Sequence, residues 1–146
     1  MNKYDDYIGV LLYNISKTQR NMAQAEFNQL GLHAGQERVL LSLTDDASRV
    51  QSELVNDLCV EPPTVTKMLQ RMEKAGLVER HQDGEDGRAT RVSATAQGKA
   101  LQEPILEIWN DLEKRMVANM SVTEQTLLRR LLMQVLTNLT TEPGEA

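Results

Sequence analysis

The sequence predicts a mainly α-helical chain that carries one β-hairpin, and three observations lead there. Apolar residues recur at helical spacing over most of the length, while two short runs, 77–82 and 88–95, switch to strand-like patterning. Between those runs stand the turn dipeptides Asp83-Gly84 and Asp86-Gly87, the signature of a hairpin with a charged tip. Aromatic residues make up only 3% of the chain whereas leucine and methionine are plentiful, a mix suited to helix packing and poor for a β-sandwich.

The first helix is read from Tyr4, Ile8, Leu11, Leu12, Ile15, Met22 and Leu30, with Gly31 as its stop. A second helix has Val39, Leu40 and Leu43 on one side and ends in the turn residues Thr44-Asp45-Asp46. Ser48 and Gln51 have capping-box spacing and open a short third helix with Leu54, Val55 and Leu58 facing inward. Pro62 and Pro63 are tolerated only in the first turn of a helix, so the fourth runs from Pro62 to about Ala75, stopped by Gly76. After the hairpin the helical period returns through Ile105, Ile108, Trp109, Leu112 and Met116, and Pro104 must kink this stretch or mark a late start. Ser121 and Glu124 form another capping box ahead of a last helix with Leu127, Leu128, Leu131, Leu132, Val135, Leu136 and Leu139. Six helices with a hairpin after the fourth describe a winged helix-turn-helix. Residues 142–146 read as a disordered tail.

Composition narrows the function. With 146 residues, 40% of them hydrophobic and 25% charged, the chain fits one ordinary soluble domain. Its longest apolar runs, such as Ile8–Tyr13, fall far short of the roughly 20 residues a bilayer demands. The start, Met1-Asn2-Lys3-Tyr4-Asp5-Asp6, puts acids where a secretory signal needs an apolar core, and a lone cysteine makes no internal disulfide. A cytoplasmic protein without a membrane partner is expected. The net charge of −5 taken alone argues against nucleic acid, but its distribution does not. From Glu61 to Arg91, the basic Lys67, Arg71, Lys74, Arg80, Arg88 and Arg91 balance the acidic Glu61, Glu73, Glu79, Asp83, Glu85 and Asp86, so the acidity lies elsewhere.

On a wheel of about 100° per residue, the fourth helix gathers Val65, Met68, Leu69 and Met72 on one side. Pro63, Thr66, Lys67, Gln70 and Lys74 gather on the other, flanked by Thr64 and Arg71. Short polar groups near the start and cations further on suit base edges and phosphates in a major groove, although a solvated helix face can look the same. Arg88 and Arg91 beside the hairpin tip could reach a narrow minor groove, or could merely balance Asp83, Glu85 and Asp86.

Residues 50–101 resemble the MarR family of transcriptional regulators, most specifically in Pro63-Thr64-Val65-Thr66-Lys67, Glu73-Lys74-x-Gly76-Leu77-Val78-x-Arg80, Asp86-x-Arg88 and Ala94-Thr95…Gly98. The flanking helices match in length and position. The resemblance implies a homodimer on a pseudo-palindromic double-stranded DNA operator, a repressor more often than not, released by a small phenolic or other anionic effector. It makes residues 1–30 and 104–141 the dimerisation helices and 32–101 the DNA-binding lobe. It places Thr64, Thr66 and Lys67, with Pro63 beside them, at recognition-helix contacts, Arg88 and Arg91 on the wing, and Asp86 as the acid bracing Arg88. Ser52 falls at a phosphate contact, with Gln70 and Arg71 as secondary ones. Three positions depart from the pattern: Glu61 where a capping serine is common, Ala94 where leucine is usual, and Cys59 at a turn position that is often glycine. Some members sense oxidants through a thiol, but a reactive cysteine needs an electropositive setting, and Glu61 works against one, so Cys59 is read as filling a helix turn.

No Gly-rich phosphate loop or nucleophile arrangement suggests an enzyme, and His33 and His81 are too few for a zinc site, so no cofactor or metal is expected. The competing reading is a winged-helix module that binds protein rather than DNA, which the overall acidity would suit.

Overall fold

A computed structural model describes residues 3–43, 48–83 and 89–141, without the side chains of Lys3, Asp5 and Asp83. The chain divides into two compact units, residues 1–110 and 111–146. In the first unit a 3-10 turn, Lys3–Asp6, leads into α1 (Ile8–Gln29), followed by α2 (Gln36–Ser42), β1 (Arg49–Val50), α3 (Gln51–Leu58) and α4 (Pro62–Lys74). Strands β2 (Val78–Asp83) and β3 (Ala89–Ala94) come next, then α5 (Ala96–Ala100) and α6 (Gln102–Met116). The last helix, α7 (Val122–Thr140), lies in the second unit.

The core of the first unit sits beneath the helix-turn-helix. Val39 and Leu40 of α2, Leu54 of α3, Val65, Leu69 and Met72 of α4, Val78, Val92 and Ile105 are all almost fully buried. These are the positions the helical and strand periods turn to one face, and burial of each leucine-sized side chain contributes about 1.5–3 kcal/mol. From α1 only Ala23 and Phe27 join the core, with Phe27 edge-on to Trp109 at 5.7 Å.

Two motifs of the family resemblance have local structural causes. Helix α4 ends with Gly76 N–H donating to the Glu73 carbonyl and Leu77 N–H to the Met72 carbonyl. This terminus needs the left-handed Gly76 (φ +74°), which glycine adopts without strain. Thr95 then caps α5: its hydroxyl donates to the Gly76 carbonyl at 2.6 Å and accepts from Gly98 N–H at 3.1 Å. A Cβ on Gly98 would overlap the Leu77 carbonyl, so no side chain fits there.

Three details differ from the expectations. Ser48 does not open α3: the residue at the cap is Val50, whose N–H donates to Glu53 Oε2 at 3.2 Å. Arg49 and Val50 are drawn into a third strand, pairing antiparallel with Val92 and Arg91 and giving the sheet order β1-β3-β2. Tertiary pairing thus overrides the local cap signal. The stretch after Thr95 is two helices rather than one. Pro104 marks a late start, one of its two expected roles: it lies in the first turn of α6, where its absent N–H has no intrahelical partner to miss. The hairpin tip, with Asp86 and Arg88, and the tail 142–146 lie outside the described residues. Among the described residues no helix is long and apolar enough to cross a membrane.

In the second unit the Ser121–Glu124 capping box forms as expected, with Ser121 Oγ accepting from Glu124 N–H at 3.3 Å and Glu124 Oε2 accepting from Ser121 N–H at 2.7 Å. Helix α7 buries no residue at all.

Candidate nucleic-acid interface

The two helices that would present side chains to a groove are fixed to each other by polar contacts that their sequence spacing does not announce. Arg38 of α2 donates to the carbonyls of Asp57 (3.0 Å) and Leu58 (3.2 Å), closing the C-terminus of α3. The chain then turns at Cys59, which is left-handed at φ +52°. A residue with a Cβ adopts that conformation at a cost that glycine would not carry. The exposed Cys59 thiol donates to the Asn56 carbonyl at 3.4 Å. Gln51 of α3 reaches across the turn, its Nε2 donating to Thr66 Oγ1 at 2.9 Å.

Helix α4 presents the face its wheel predicts. Val65, Leu69 and Met72 are buried and Met68 half-buried, while Pro63, Thr64, Lys67, Gln70, Arg71 and Lys74 are exposed. Among the described residues, the side chains of Ser52, Thr64, Lys67, Gln70 and Arg71 have no hydrogen-bond or ion-pair partner. They stand available to a ligand. Thr66 is different: half-buried, it donates to the Pro62 carbonyl at 3.0 Å while accepting from Gln51, so its hydroxyl holds the start of α4 against α3.

On the wing, Arg91 is half-buried, and its Nη1 donates to the carbonyl (3.4 Å) and hydroxyl (3.5 Å) of Ser48, linking β3 to the approach of β1. Arg80 of β2 forms an ion pair with Glu73 of α4, Nε to Oε2 at 3.0 Å. The Arg80 guanidinium holds the Glu73 carboxyl below its usual range. The spacing from Glu73 to Arg80 is therefore a clamp between reading helix and wing. Sequence reasoning missed Gln51 and Arg38 as parts of the interface, since both act through partners fifteen and twenty residues away.

A polar, cation-bearing helix on a helix-turn-helix, backed by a three-stranded wing, is the arrangement shared with known regulators. The MarR family model matches residues 32–90. An uncharacterized HTH-type transcriptional regulator of Bacillus subtilis, YwoH, is 36% identical over 98 residues, covering 65% of this chain and 71% of the relative. The chain belongs to the MarR family. An HTH-type transcriptional repressor of Mycobacterium tuberculosis is 27% identical over 128 residues, covering 88% of this chain and 92% of the relative. Among solved structures, a mutant MarR of Escherichia coli complexed with operator DNA superposes with a TM-score of 0.79 at 27% identity, over 93% of this chain and 99% of that one. MarR-family proteins are winged-helix transcriptional regulators, not enzymes, and that is the class of this chain.

Proposed function

We propose that this MarR-family chain is a cytoplasmic repressor that binds a pseudo-palindromic operator as a homodimer and is released by a small phenolic or other anionic effector. The observation that carries the reading is the polar and cationic face of α4, with Thr64, Lys67, Gln70 and Arg71 exposed and without a partner among the described residues. The crystal structure of E. coli MarR with operator DNA supports the same use of the fold. Thr64 and Pro63 would meet base edges, Lys67, Gln70, Arg71 and Ser52 the backbone, and Arg88 the minor groove with Asp86 bracing it. Thr66 serves by orienting the helix, and Arg91 would have to give up its bonds to Ser48 to meet a phosphate. Residues 1–30 and 104–141 would pair the two copies, and the exposed apolar residues of α7 support this.

Selection of bound duplexes from a random pool, followed by salt titration of the winning site, tests the function. A regulator returns two half-sites about one helical turn apart and loses affinity steeply as salt rises, because each phosphate contact releases a counterion. Little binding to any duplex at any salt would instead favour a protein-binding module.

A further inference from the structure

The residue at the cap of the reading helix is a carboxylate with nothing to cap. An acidic residue in that place ordinarily accepts from the free N–H groups of the first turn. Here Pro62 and Pro63 occupy the first two helical positions and carry no N–H, and the next two, of Thr64 and Val65, both donate to the Glu61 backbone carbonyl at 2.9 and 3.2 Å. The Glu61 side chain makes no cap bond, is exposed, and meets no cation or donor among the described residues. It stands one turn before Thr64 and two before Lys67, both exposed. Its charge is tolerated because the positive end of the helix dipole lies beside it.

On a DNA-binding face such a group is costly unless it reads something. Phosphates repel it. In the major groove guanine offers the acceptors N7 and O6, and thymine the acceptor O4. Adenine sets its N6 amino donor beside the acceptor N7, which suits an amide better than a carboxylate, whereas cytosine offers the N4 amino donor with no neighbouring acceptor of its own, the natural partner of a carboxylate. We propose that Glu61 is a specificity residue that accepts from a cytosine N4 amino group in each half-site and excludes guanine there. The inference rests on the operator-binding reading above.

The test compares duplexes selected from a random pool by the full chain, by Glu61→Gln and by Glu61→Ala. Because the side chain has no internal partner beyond the helix dipole, both variants should stay folded and melt at most a few degrees below the parent. The parent should prefer cytosine at one position in each half-site, and both variants should lose that preference by about tenfold, Gln in favour of adenine, with the other positions unchanged. Affinity for random duplex should rise severalfold in both as the repulsion of phosphate disappears. If the variants bind all duplexes more tightly yet select the same base frequencies as the parent, Glu61 acts only as a repelling charge and the inference is overturned while operator binding stands. If the parent selects no site at all, the operator-binding reading falls and takes this inference with it.

Discussion

The winged lobe and the last helix follow the same sequence rule to opposite structural ends. In the lobe, the apolar residues of α2, α3, α4 and the sheet other than the two prolines are buried or half-buried within one copy of the chain. In α7 the apolar residues recur just as regularly, yet Leu127, Leu128, Leu131 and Leu132 remain between 38% and 49% exposed and Leu139 reaches 79%. Periodicity states that a helix has a face to cover. It does not state whether the cover comes from the same copy or from another. The lobe is finished as a monomer, and α7 is not, and a contiguous apolar face of this kind marks an interaction surface.

The largest effect should come from placing a charge on the unfinished side. Leu131→Asp would put an unpaired carboxylate into the proposed interface between copies, where its desolvation would cost several kcal/mol. Sedimentation equilibrium should show dissociation at concentrations where the parent is wholly dimeric. Removing residues 121–146 altogether should leave aggregated or unfolded chains, since it strips one wall of the interface. A soluble, folded monomer from the deletion, or an undisturbed dimer from Leu131→Asp, would show that α7 is exposed for some other reason.

Within the lobe, sequence patterns were read reliably wherever the cause is local. Pro62, Pro63 and Gly76 mark the ends of α4 because each acts on its own backbone, and outside the lobe Ser121 with Glu124 closes a bond spanning one turn. The same spacing at Ser48 and Gln51 misled, because strand pairing with Val92 and Arg91 pulls Arg49 and Val50 into extended backbone first. The wheel found the exposed face of α4 but gave Thr66 the same standing as Thr64. Only the angle between α3 and α4 brings Gln51 to Thr66, and no periodicity encodes that angle. Nor does pattern reveal that Gln36 and Glu37 are buried, since side chains of their kind are usually solvated.

Two substitutions sharpen the contrast from the lobe's side. Gly98→Ala would drive a methyl group into the Leu77 carbonyl beneath the wing, and overpacking against backbone should lower stability by about 1–3 kcal/mol, read from the urea midpoint at fixed protein concentration. The proposed dimer contacts of α7 should be untouched. Arg88→Ala should weaken operator binding by about 1–3 kcal/mol at moderate salt, measured by fluorescence anisotropy. Equal affinity for parent and variant would remove the wing arginine from recognition.

The smallest effect concerns Glu37, the one imperfection in the lobe's interior among the described residues. The residue is 7% exposed, and its Oε2 is buried without a hydrogen-bond partner. Burial raises its pKa, offset in part by bonds from backbone amides and by the charge of Arg38. The folded chain therefore keeps a proton that the unfolded chain releases, over a window beginning at the ordinary carboxylate range and extending upward. Folding stability should be full below that window and decline as pH rises through it, because the folded state binds more protons there. Glu37→Gln keeps an oxygen for the backbone amides and cannot ionise, so this part of the decline should vanish. The variant should be more stable than the parent at neutral pH, by about 1 kcal/mol, with the gap closing in acid. Urea midpoints across that range decide it: parallel pH profiles for parent and variant would mean that Glu37 is solvated in the folded chain, and that the lobe is less closed than α7 makes it look.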